Sequence, residues 1–136
     1  MTKRHEARVL ALKVLYEADI ARHDAAAVLD RQIAGADLPA ENDVFTRALV
    51  EGALKHQAEA DGIITRLAPA YPVSQLSPID RNVLRLAIYE LFHDNNVPVR
   101  VAINEAVELA KEFGSESSAK FVNGVLSSVA TLVQRD

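Results

Sequence analysis

The 136-residue chain has no cysteine and no tryptophan, a single methionine, and only five glycines and five prolines. Without cysteine it can form no disulfide, thiol nucleophile or thiolate metal site, which suits a reducing cytoplasm. No run of about 18 apolar residues occurs, which argues against a membrane-spanning helix. Lys3, Arg4, Glu6 and Arg8 open the chain and a periodic apolar pattern follows them, so the start does not read as a signal peptide. There is no glycine-rich phosphate loop, and His5, His23, His56 and His93 are scattered with no H-x-x-x-H pair. Strand-type alternation, internal repeats and low-complexity tracts are missing as well.

Apolar residues in helical order fill the space these absences leave. With 49% hydrophobic residues the chain can build one core, and residues 1–136 read as one domain. From about His5 to Arg22, Ala7, Leu10, Ala11, Val14, Leu15 and Ala18 recur at three- and four-residue steps, the mark of an amphipathic helix. Asp24 is an amino-terminal cap for a second helix, and Gly35 is expected to end it in a left-handed conformation. A longer helical pattern runs from about Ala40 to Ala68, with a break expected at Asp61-Gly62.

Pro69-Ala70-Tyr71-Pro72 cannot continue a helix, because each proline lacks an amide hydrogen and restricts the residue before it. Ser77-Pro78-Ile79-Asp80 then combines a cap, a proline at the first helical position and an acid in the first turn. The helix that follows, to about His93, has apolar residues on most sides and is expected at the centre. One more helix closes at Gly114, and a last one runs from Ser115 or Glu116 to Leu132. The fold class is therefore all-α, a compact bundle of about six or seven helices.

Net charge is −4 but unevenly spread. Residues 1–13 hold four basic groups against one acid, whereas residues 14–64 hold ten acids against four basic groups. A basic arm on an acidic body confines nucleic acid to one surface, and the acids could receive a basic protein; taken alone, the same charges also suit plain solubility. Arg4 and Arg8 lie one helical turn apart, with His5 as a third donor when protonated. Tyr16 lies two turns beyond Arg8. Lys120-Phe121 repeats the cation-plus-aromatic theme in the last helix, and Arg85 stands singly on the central one. Single-stranded RNA is read through such stacking and backbone contacts, although each of these residues also has a plain structural reading in the core or on a helix surface.

Two asparagines interrupt apolar runs, Asn104 in Val101-Ala102-Ile103-Asn104-Glu105-Ala106 and Asn123 in Phe121-Val122-Asn123-Gly124-Val125-Leu126. Both are expected near a helix-helix seam, hydrogen-bonded to a neighbour, in preference to direct ligand contact. Gly124 beside Asn123 suggests close approach of another helix. Glu90-x-x-His93 is half of a carboxylate-bridged di-iron motif, which needs two such pairs and two further inward glutamates, but the second pair is missing.

Together with Lys3-Arg4-His5-Glu6-Ala7-Arg8 and Asp80-Arg81-Asn82-Val83-Leu84-Arg85-Leu86, these runs resemble the NusB family of bacterial transcription antitermination factors, from about Arg4 to about Val129. The resemblance implies an all-helical fold and no enzymatic activity or cofactor. It implies binding of the boxA element of ribosomal-RNA leaders together with the ribosomal protein NusE, within the antitermination complex of RNA polymerase and the other Nus factors. It maps RNA contacts to Lys3, Arg4, His5, Arg8, Tyr16, Arg85, Lys120 and Phe121. His5-Glu6 thins the arginine run common in the family, and an aromatic usual before the central helix has no clear equivalent near Leu67-Ala68-Pro69. Some members self-associate through the RNA surface, so a homodimer stays open. The RNA-binding module of a ribosomal-RNA cytosine methyltransferase shares the fold, with chain length against it.

Overall fold

A computed structural model describes residues 3–133, and the side chain of Lys3 lies outside the described residues. Seven α-helices follow one another: α1 (Lys3–Ala21), α2 (Ala25–Ala36), α3 (Ala40–Lys55), α4 (Gln57–Leu67), α5 (Pro78–His93), α6 (Val99–Phe113) and α7 (Ser118–Ala130). A 3-10 turn at Val73–Gln75 precedes α5. No strand occurs among the described residues. The expected all-helical bundle is what the chain forms.

Local chemistry sets most helix ends. Asp24 accepts a hydrogen bond from the Ala27 amide (3.2 Å) and Ser77 Oγ one from the Asp80 amide (3.1 Å), the two caps read from the sequence. Pro78 opens α5. Two boundaries differ from expectation. Gly35 stays helical, and α2 ends where Asp37 turns left-handed (φ 52°), a conformation that aspartate tolerates. The break in the Ala40–Ala68 pattern falls at His56 rather than at Gly62, which lies inside α4.

The central helix α5 packs against α1, α3, α4, α6 and α7. Val83, Leu84, Leu86, Ala87, Ile88 and Leu91 of α5 are all buried, so no side of its middle faces water. Buried with them are Arg85 and Glu90, whose charges need partners inside the protein. Arg8 of α1 answers Glu90 with two parallel hydrogen bonds of 2.9 and 2.8 Å. Asp61 of α4 receives the Arg85 fork at 2.8 and 3.0 Å. Asp19, near the end of α1, accepts from Arg81 (2.6 and 2.8 Å) and from the buried Asn82 (2.8 Å).

The two asparagines expected at helix seams are not there. Asn104 and Asn123 are both exposed. On α6 the buried positions are Ala102, Ala106, Leu109 and Ala110. Residue 104 stands two steps from both 102 and 106, about 200° around the helix. On α7 the buried stripe is Ser118, Val122, Val125, Leu126 and Val129, which leaves Asn123 outward beside Lys120. The buried asparagines are instead Asn42 and Asn82. Gly124 is exposed, and a Cβ there would meet nothing within 4 Å, so it serves no close helix approach.

Two stability outcomes follow from these placements. Arg8→Ala strands a buried carboxylate and should cost about 3–5 kcal/mol in urea unfolding, most of which the double change Arg8→Met/Glu90→Leu should restore. Gly124→Ala, in an open helical position, should instead stabilise the chain by about 0.5–1 kcal/mol in the same assay.

Candidate nucleic-acid interface

The cations proposed from the sequence divide into two groups. Arg8 and Arg85 are interior, 4% and 8% exposed, and both hold carboxylates with their forks. Neither can present a phosphate-binding face without breaking a buried pair, which removes them from the exposed contacts expected of them. Arg4 and Lys120 are exposed. The Arg4 guanidinium lies over the Phe45 ring, 4.1 Å from its centroid, with Arg8 on the same ring at 5.2 Å. Lys3 begins α1, but its side chain falls outside the described residues.

His5 is buried against α6, not free beside Arg4. Its Nδ1 lies 2.7 Å from a Glu105 oxygen and its Nε2 3.2 Å from a Glu112 oxygen. Burial alone would lower the imidazole pKa, but hydrogen bonding to Glu105 and Glu112 outweighs it and raises the value above its ordinary 6.5. When protonated, the ring can donate to both carboxylates and so ties the start of α1 to α6.

The aromatic residues sit in grooves. Tyr16 is half-buried in an apolar groove with Lys13, Ile20, Ile79 and Phe113. Phe121 is half-buried and meets Tyr71 edge to face, with ring centroids 5.4 Å apart. Tyr71 itself is 55% exposed. Lys120 and Phe121 line one groove with Ser117, Gly124 and Ser128, while Phe121 and Tyr71 line the next with Asp80. Tyr71 was missed because Pro69-Ala70-Tyr71-Pro72 read only as a boundary; an aromatic held between two prolines, outside any helix, was the available signal. The exposed amide of Asn123 stands one turn from Lys120 on α7.

The half-motif Glu90-x-x-His93 holds no shared site. Glu90 is taken up by Arg8, and His93 turns toward Glu59 of α4. No helix among the described residues is long and apolar enough to cross a membrane.

The NusB family model matches residues 5–131 of the chain. Over 129 residues the chain is 54% identical to the transcription antitermination protein NusB of Dehalococcoides mccartyi, covering 95% of this chain and 90% of that protein. The transcription antitermination protein NusB of Geobacillus kaustophilus is 41% identical, with 98% of this chain and 99% of that protein covered. Among solved structures, T. maritima NusB superposes with a TM-score of 0.90 at 33% identity, covering 96% of this chain and 92% of that one. The crystal structure of antitermination factors NusB and NusE in complex with dsRNA superposes at 0.86 and 29% identity, covering 97% and 98%.

The raised His5 pKa carries a pH dependence. Its folded value lies above the unfolded one of about 6.5, so its contribution is complete below that pH and is lost as pH rises through the folded value. The unfolding free energy of the parent should exceed that of His5→Gln most near pH 6, and the gap should narrow on the alkaline side. A gap that widens with pH would contradict the charged-ring assignment.

Proposed function

The chain belongs to the NusB family, and on that premise we propose that it is a transcription antitermination factor that binds boxA-type single-stranded leader RNA together with NusE and promotes read-through by RNA polymerase. It works as one domain in the cytoplasm, by binding and positioning, without chemistry of its own. The observation that carries this reading is the grouping of Lys120, Phe121 and Tyr71. One exposed cation and two rings, Phe121 seated against the core and Tyr71 more than half in water, offer a platform for phosphate and base.

Arg4 and Lys3 add the phosphate contacts of the α1 start, and Tyr16 with Lys13 adds a second cation-aromatic pair further along α1. Asn123 offers an amide to a base edge or sugar beside Lys120. Arg8, His5 and Arg85 act on this face through the fold, by holding α1 and α5 in place. With Arg8 and Arg85 engaged inside the protein, the RNA contact alone is weak, and NusE supplies the remainder. Acids that stay exposed, Glu41 and Glu51 on α3 among them, offer that basic protein an opposite charge.

The test is a titration of labelled boxA RNA and a scrambled control, with and without NusE, across a salt series. Selective binding that tightens with NusE is expected. Arg4→Ala and Lys120→Ala should each weaken it and reduce the salt slope by about 1. Tyr71→Ala should cost about 1–3 kcal/mol, with melting temperature checked in parallel. Equal affinity for both RNAs under all conditions would overturn the reading.

A further inference from the structure

The last turn of α5 carries a cluster that the RNA reading does not use. His93 Nε2 lies 2.8 Å from Glu59 Oε1, and the His93 ring stacks on the ring of His56 with centroids 3.8 Å apart and planes 18° from parallel. One nitrogen from each histidine and one Glu59 oxygen all lie within 4.8 Å of one another. The three residues come from separate places: the α3–α4 junction, the first turn of α4 and the end of α5.

The pair of imidazoles is supported from behind. Tyr89, one turn earlier on α5, stacks on both rings, 5.9 Å from His56 and 5.8 Å from His93. The Tyr89 ring occupies the space a Cβ on residue 52 would need, so glycine at that position makes room for it. Packing thus gathers the rings in one place, and the cluster stays open to water: the side chains of His93 and Glu59 are 31% and 45% exposed, which leaves room for them to turn.

Two imidazoles and a carboxylate suit a borderline divalent ion, whereas magnesium and calcium favour oxygen donors alone. At bond lengths of about 2.0–2.2 Å, neighbouring ligands of a tetrahedral zinc stand roughly 3.3 Å apart. The His93–Glu59 pair, at 2.8 Å, needs to open by only about half an ångström. Because an imidazole lone pair lies in its ring plane, one ring of the stack must turn out of it for both histidines to reach the same ion. His5 is the instructive contrast, because its two carboxylates lie on opposite ring nitrogens and cannot converge on one ion.

We propose that His56, Glu59 and His93 form a binding site for a divalent transition-metal ion of the zinc class, with water in the remaining position. The bound ion clamps the bend between α3 and α4 to the end of α5, in place of the proton that His93 and Glu59 share. Because it binds the folded arrangement, it raises thermal stability by mass action.

The experiment uses the full chain without a histidine tag and without RNA, so its outcome is independent of the RNA reading. Zinc is titrated calorimetrically, cobalt(II) is followed by visible absorption, magnesium serves as the comparison ion, and melting is recorded with zinc and with chelator. One equivalent of zinc, a cobalt band of tetrahedral intensity and a zinc-dependent rise in melting temperature are expected, with no response to magnesium. His93→Ala and His56→Ala should each weaken zinc binding by more than the roughly tenfold that loss of an outer-shell partner costs. Both should keep the helical signal in chelator and lose the zinc-dependent rise. Zinc affinity in His93→Ala equal to that of the parent, or a parent melting temperature that zinc leaves unmoved, would overturn the proposal.

Discussion

Because α5 is enclosed by its neighbours, each charge in its buried span must meet an opposite charge brought by another helix. Arg8 of α1 meets Glu90, Asp61 of α4 meets Arg85, and Asp19 at the far end of α1 meets Arg81 and Asn82. Residues 8 and 19 are about 16 Å apart along one helix, and residues 90 and 81 about 14 Å along the other. Two staples at matching spacing fix α1 antiparallel to α5 and set its register. An apolar seam alone would tolerate a slip of one turn; here a slip would strand the buried charges of Arg8 and Glu90, at about 3–5 kcal/mol, and part the half-buried Asp19–Arg81 pair as well.

That requirement reshapes the surface. Arg8 of the basic arm and Arg85 of the central helix are drawn inward, so a phosphate backbone meets fewer cations than the sequence counts. The acidic stretch is depleted in the same way. Asp19 and Asp61 point into the fold, Arg47 holds Asp30 and Asp43, and Glu17 is paired with Arg31 and His23. The charge left for partners is therefore smaller on both sides than the segment totals suggest.

Helix number, the caps at Asp24 and Ser77 and the central place of α5 were legible in the sequence, because period and capping are local properties. The burial of Asn104 and Asn123 was misjudged, because a polar residue within an apolar run can still fall about 200° from the buried stripe, and only the stripe's phase decides. Asn82 went unnoticed inside a helix apolar on most sides, where no phase is privileged. The roles of Arg8 and Arg85 were read as exposed for a related reason. Pairings such as Arg8 with Glu90 join residues 82 positions apart, and no local pattern encodes them. Tyr71 escaped because loop positions carry no period at all.

Magnitudes then separate the two arginines that share Phe45. Arg4 lies over the ring from an exposed position, an interaction of about 0.5–1 kcal/mol. A charge-assisted hydrogen bond to a phosphate is worth about 1.5–3 kcal/mol. Arg4 can therefore leave the ring for RNA at a net gain, and Phe45 keeps Arg8 beneath it when it does. Arg8 would have to abandon Glu90, a loss of about 3–5 kcal/mol that one phosphate does not offset. Two residues one turn apart, alike in the sequence, thus divide the work. The inner arginine fixes the helix, and the outer one, held only by an exposed ring contact, is the one the proposed RNA binding can draw on.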